Sequence, residues 1–212
     1  MIYTIAMLIV RGVLHLWYNL KFEGRKNIQK GRPYIFVSNH RSYLDPVLVA
    51  LAGYGRFGFM AKKELFEGNK AFTALIKWLG AFPVERGSGD MQVIETSADC
   101  IRNGKNLLIF PEGTRSKNGR VGKGKSGVAL VASRVHADII PIGINFDGEK
   151  LHFRSRIVVR IGEPIPASAL PDTENLSERE LLKVLRTEIM PPIMDGIRNL
   201  VDEPELPAES KK

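Results

Sequence analysis

The order of apolar and amphipathic stretches predicts an α/β fold for this chain of 212 residues: one domain, with a central mixed sheet flanked by helices. Three observations carry that expectation. Short runs rich in β-branched and aromatic residues alternate with longer stretches of helical periodicity, the pattern of strands threaded through helices. With 44% hydrophobic and 25% charged residues, the composition is that of a globular domain long enough to bury a full core. No internal repeat or low-complexity tract divides the chain, so a single folded unit over residues 23–202 is expected, with 1–22 set apart before it and 203–212 as a disordered tail rich in Pro and charge.

The elements follow in order. Residues 1–22 are strongly apolar but interrupted by Arg11 and His15, which leaves no unbroken span of the roughly twenty residues a simple transmembrane helix needs. On a helical wheel Thr4, Arg11, His15 and Asn19 share one narrow stripe, with Ile2, Ile5, Ile9, Val13, Leu16, Trp17 and Leu20 on the broad remainder. That is an amphipathic helix lying in a membrane interface, with Trp17, Tyr18 and Lys21 suited to headgroup level. A cleaved signal peptide fits poorly, because the basic residues do not precede the apolar run and no small-residue cleavage site follows.

Strands are predicted at 34–37, 57–61, 81–84, 107–110, 139–144 and 157–161, and helices at 48–51, 70–79, 90–102 and 126–135. Asp45-Pro46 reads as a helix start, with Asp as N-cap and Pro at the first helical position. The last helix opens with a capping box from Ser177 to Glu180, sets Leu181, Leu185 and Ile189 on one face, and is expected to stop at Pro191-Pro192.

A net charge of +8 implies anionic partners. Basic residues gather at 21–32 and 115–125, where they can meet acidic lipid headgroups, an acidic carrier protein or the phosphates of coenzyme A. Aromatic residues are not interleaved with these runs and no nucleic-acid motif is present, which argues against nucleic acid. Cys100 is the single cysteine, so there is no internal disulfide framework; no Cys/His cluster has zinc spacing, and a reducing compartment is expected.

The stretch with most chemistry is Asn39-His40-Arg41-Ser42-Tyr43-Leu44-Asp45, answered about seventy residues later by Phe110-Pro111-Glu112-Gly113-Thr114-Arg115-Ser116. His40 falls in a strand-to-helix turn, where Asp45 can fix its tautomer and stabilise the imidazolium formed when the other ring nitrogen takes a proton. Taken alone, the same spacing also describes a loop histidine and a plain helix cap. The second motif leaves the carboxyl end of a buried strand, where open α/β sheets bind ligands, and adds a carboxylate and a guanidinium. Together they predict acyl transfer onto a hydroxyl of a phosphorylated substrate. A thioester is already electrophilic, so direct attack by a base-activated hydroxyl is favoured over an acyl-enzyme; Cys100 in a helix and Ser42 beside His40 are poor nucleophiles. Backbone N–H groups near His40 or around Gly113 are the candidate oxyanion donors.

Four blocks in order, Asn39-His40 through Asp45, Gly80 to Arg86, Phe110 to Ser116 and Ile139 to Ile144, resemble the glycerolipid acyltransferases, in particular the 1-acylglycerol-3-phosphate acyltransferases that make phosphatidic acid. The resemblance covers roughly residues 22–165. It implies His40 as general base, Asp45 as its orienting group, Arg86 and Arg115 as the clamp on the acceptor phosphate, and Glu112, with Gly113 and Thr114 of the same turn, against the acceptor. Lys62 matches a further basic position, although Lys63 beside it competes for the assignment. Neither metal nor cofactor is implied; acyl-CoA or acyl carrier protein is the co-substrate, and the enzyme would sit on the anionic cytoplasmic face of a membrane. Another lysophospholipid, glycerol 3-phosphate or a lipid alcohol as acceptor, and a lipid-binding protein without turnover, are the competing readings.

Overall fold

The computed structural model describes residues 2–84 and 91–202. The elements are α1 (Ile2–Trp17), β1 (Asn19–Glu23), β2 (Ile35–Ser38), α2 (Asp45–Ala52), β3 (Phe57–Lys62), α3 (Lys70–Leu79), β4 (Ala81–Val84), α4 (Met91–Arg102), β5 (Asn106–Ile109), α5 (Ser126–Val135), β6 (Ile139–Phe146), β7 (Arg156–Ile161), α6 (Glu178–Val184) and α7 (Met190–Arg198). Seven strands form one sheet in the order β1-β7-β6-β2-β5-β3-β4. Neighbours are parallel except β6 and β7, which makes the sheet mixed, as expected.

Strand alternation divides the core. Phe36, Leu108, Ile140 and Ile142 pack with α1 and α2 on one face, whereas Ile35, Val37, Leu107 and Ile139 meet α4, α5 and α7 on the other. The central strands are thus apolar on both sides, as parallel strands covered by helices must be. Gly143 in β6 admits the backbone of Leu200 where a Cβ would collide with it, so the carboxyl-terminal segment lies directly on the sheet.

Two expectations are corrected. The helix predicted over 1–22 ends at Trp17, and Asn19–Glu23 is a strand instead. Its Leu20 is buried and it pairs in register with β7 from Asn19↔Arg156 to Glu23↔Arg160; the ladder and core contacts outweigh continued helix. The last helix does not stop at Pro191-Pro192. After the capping box, which is present, the chain passes through a π turn at Leu185–Ile189 and continues as α7. The two prolines sit in the first turn of α7, where a missing N–H costs least, and the π turn absorbs the change of register.

Helix α1 is apolar over most of its surface, with Thr4, Arg11 and His15 as its polar residues. Leu14 is buried, and Met7 and Val10 pack against the core, yet Ile5, Leu8, Ile9, Val13 and Leu16 on the far side are more than half exposed. Arg11 leans over the Phe22 ring. Among the described residues no helix is long and apolar enough to cross a membrane.

Candidate active site

The site forms where β2, β5 and β6 end side by side. Three successive residues after β2 are each fastened to a segment far along the chain. The Asn39 side chain donates to the Ile144 carbonyl at 2.9 Å and accepts from the Ile144 N–H at 2.8 Å, extending the β2–β6 ladder with an amide in place of a peptide. His40 donates its backbone N–H to Oε1 of Glu112 at 3.0 Å, and its carbonyl accepts from the Ser116 N–H at 2.7 Å. Arg41 donates to the carbonyls of Phe146 and Gly148, both at 2.8 Å, with its guanidinium over the Phe146 ring. A histidine held this way has little freedom in its backbone.

Its ring is held as well. Nδ1 lies 2.7 Å from Oδ2 of Asp45, and the imidazole stacks on Phe110 with centroids 4.1 Å apart and planes 19° from parallel. A carboxylate oxygen accepts in this contact, so Nδ1 is the ring nitrogen that serves Asp45 and Nε2 is the one turned away from it. The side chain is 19% exposed, so the ring is walled by protein yet open at one edge.

Asp45 is fully buried, and its task differs from the predicted N-cap. Oδ2 accepts from the N–H groups of Arg41 at 2.6 Å and Ser42 at 2.7 Å as well as from His40. No side-chain cap closes α2; the residue before it is already helical, and the Leu44 N–H is taken by the Ser42 hydroxyl. The carboxylate has turned back into its own loop. Oδ1 has no partner among the described residues.

Glu112 is also buried, and both its oxygens are engaged by backbone N–H groups, Oε1 by His40 and Oε2 by Gly122 at 3.0 Å. Desolvation pushes its carboxyl above the usual carboxylate range, opposed by these two N–H bonds and by the nearness of His40. Its described contacts are to the frame of the site. Gly113 takes a left-handed conformation, φ 68°, to turn the chain there, and its N–H closes the turn on the Phe110 carbonyl. Lys125 lies across it, 3.1 Å from where a Cβ would stand.

Of the three predicted cations, Arg115 and Lys62 lie among the described residues. Arg115 and Thr114 are exposed, and the Arg115 guanidinium lies 3.7 Å over the ring of Tyr43. Lys62 is exposed at the carboxyl end of β3, two strand spacings or about 10 Å across the sheet from β2. Arg86 lies outside the described residues. The amides of His40, Arg41, Ser42, Gly113 and Ser116 are all occupied, which removes those N–H groups as oxyanion donors. Asn39, Phe110, Tyr43 and Gly122 have no role in the expectation drawn from the sequence. Of these only Asn39 carried a signal, a carboxamide directly at a strand end.

This constellation coincides with a family assignment. A family model described as Acyltransferase matches residues 19–145, a stretch that contains every residue just named at the site except Arg41's partner carbonyls. The chain belongs to the acyltransferase family. It is 32% identical over 161 residues to the 1-acyl-sn-glycerol-3-phosphate acyltransferase of Streptococcus pneumoniae, covering 73% of this chain and 58% of that one. To the chloroplastic enzyme LPAT1 of Arabidopsis thaliana it is 31% identical, over 64% of this chain and 38% of the relative. The Bacillus subtilis enzyme of the same description is 26% identical over 90% of this chain and 94% of its own length. The chain thus spans less than two thirds of the first two relatives. The fold is shared with the crystal structure of the 1-acyl-sn-glycerophosphate (LPA) acyltransferase PlsC from Thermotoga maritima, at a TM-score of 0.58 and 24% identity over 87% of this chain and 73% of that one.

Proposed function

We propose that the protein transfers a fatty acyl group from acyl-CoA or acyl carrier protein to the free hydroxyl of 1-acylglycerol 3-phosphate, giving phosphatidic acid at the cytoplasmic surface of a membrane. Nε2 of His40 takes the hydroxyl proton as the oxygen attacks the thioester carbonyl, and Asp45 stabilises the imidazolium that forms. The tetrahedral intermediate collapses with cleavage of the C–S bond, and the departing sulfur takes the proton from His40, leaving as the thiol and restoring the neutral imidazole. Arg115, Arg86 and Lys62 draw the acceptor phosphate to the mouth; a guanidinium grips phosphate oxygens through two parallel bonds. Glu112 serves the reaction through the backbone of His40. Helix α1 holds the enzyme at the lipid surface through its exposed Leu8, Ile9 and Leu16.

The observation that carries this reading is the 2.7 Å bond from Nδ1 of His40 to a buried carboxylate, which leaves Nε2 as an oriented base at the strand ends. The relatives support the acceptor by their descriptions. The test is purified protein with a panel of lysophospholipids, glycerol 3-phosphate and lipid alcohols, each with acyl-CoA and acyl carrier protein. Turnover should be greatest with 1-acylglycerol 3-phosphate and vanish in His40→Ala while the far-UV spectrum and melting temperature stay near wild type. Turnover surviving in His40→Ala, or none with any acceptor, refutes the proposal.

A further inference from the structure

Helix α3 is turned inside out for a water-soluble surface. Ile76 is buried, while Phe72, Leu75 and Trp78 are 46%, 52% and 41% exposed; spaced three apart, they share one outward stripe. Leu65, in the turn just before the helix, is 38% exposed. An apolar stripe of this kind on a monomer marks a contact surface.

Three facts identify what it contacts. First, the stripe is continuous with the exposed side of α1: the rings of Tyr3 and Trp78 meet at 5.7 Å. Second, the asymmetry is nearly complete. Among the described residues the exposed large hydrophobics lie on α1, the turn before α3, α3 itself and two loops at Tyr43 and Phe153, with Leu182 on α6 as the exception. Third, the charge has one sign on the helices. Neither α1 nor α3 contains a carboxylate, whereas Lys70 and Lys77 flank the α3 stripe and Lys62 precedes it, with Glu64 and Glu67 confined to the intervening turn. Two apolar helix faces, each carrying a tryptophan, with Arg11 on α1 and Lys70 and Lys77 on α3 as their charges, match an anionic bilayer, into whose interface apolar side chains insert while cationic groups stay among the headgroups.

We infer that α3 is a second membrane-inserting element, so that the domain lies with α1 and α3 both in the lipid surface. This rests on the reading of α1 as a membrane helix and extends it to a part of the folded domain.

The chain has two tryptophans, Trp17 on α1 and Trp78 on α3, which allows each helix to be read separately. In Trp17→Phe, Trp78 is the sole indole; in Trp78→Phe, Trp17 is. Each protein is mixed with phosphatidylglycerol vesicles whose acyl chains carry bromine, which quenches only indoles in contact with it. Both should be quenched and blue-shifted, and Leu75→Glu should weaken vesicle binding about tenfold or more. Trp17 quenched with Trp78 unaffected overturns the inference and leaves the α1 anchor standing. Neither quenched overturns both. Burial of Trp78 without vesicles, rising with protein concentration alongside a dimer in sedimentation, makes this face a contact between copies and likewise refutes it.

Discussion

Replacing Asp45 by Asn separates what its charge does from what its shape does. In the native protein Oδ2 collects three hydrogen bonds at 2.6–2.7 Å, and Oδ1 has no partner to lose among the described residues. An asparagine can set its carbonyl oxygen at the Oδ2 position and its amide nitrogen at Oδ1, keeping all three bonds in number. Each falls from charge-assisted to neutral, a loss of about 1 kcal/mol apiece. The sum, about 3 kcal/mol, is partly offset because a buried charge is removed. The fold, with a total stability on the order of 5–15 kcal/mol for such a domain, should survive. Catalysis should not: without the carboxylate the imidazolium has no anionic partner, and kcat is expected to fall on the order of 10²- to 10⁴-fold with both KM values little changed. Urea denaturation and steady-state kinetics on a soluble short-chain acceptor measure the two effects. An Asp45→Asn protein with kcat within about threefold of wild type would refute the base-orienting role, since general base catalysis contributes far more than that. Unfolding at room temperature would mean that the negative charge holds the loop itself together.

Glu112→Gln tests the buried carboxyl: because desolvation raises its pKa in the folded state, its contribution to stability is present below the unfolded value of about 4.3 and lost as pH rises through the folded one. Wild type should therefore gain melting temperature relative to Glu112→Gln as pH falls from 7 toward 4; a difference that moves the other way would put the two N–H bonds ahead of desolvation. Tyr43→Ala should free Arg115 and raise the acceptor KM roughly two- to fivefold, as expected for an exposed cation–π contact, with Tyr43→Phe near wild type; an effect confined to the donor KM would move Arg115 away from the phosphate. Asn39→Asp keeps the shape but cannot donate to the Ile144 carbonyl, and should lower stability by about 2–4 kcal/mol in thermal or chemical unfolding; a neutral result would mean that the amide bridge contributes nothing.

The central strands were legible because apolar runs such as Tyr34–Val37 and Leu107–Phe110 have only one use in a domain of this size, and His40 with Asp45 because a turn between strand and helix leaves few partners for either. What escaped did so for physical reasons. Asp45 at a helix start reads as a cap by local rules, but the nearest free N–H groups in space belong to Arg41 and Ser42, behind it in the chain. The anchoring of Glu112 was hidden because nothing in its sequence neighbourhood discloses that the N–H groups of Gly122 and His40 converge on it. Leu20 and Phe22 fit a helix and a strand equally well, and only pairing with β7, more than a hundred residues on, decides for the strand. Pro191-Pro192 breaks a regular α-helix but not one that passes through a π turn. The predictions for Arg86 and the 203–212 tail fall outside the described residues.

The fastening of residues 39–41 has a consequence for the order in which the protein matures. Their partners are 72 residues away at Glu112 and 105 residues away at Ile144 and Phe146. A chain emerging from its N-terminus presents α1 first, then the histidine, and only much later the carboxylate and carbonyls that hold it. Contacts so distant in sequence form slowly, since the loop between them must close before they are rewarded. The geometry around His40 is thus a late product of folding, absent from any intermediate in which β5 and β6 have not docked on β2, and recovery of any turnover on refolding should coincide with the last, slowest structural phase.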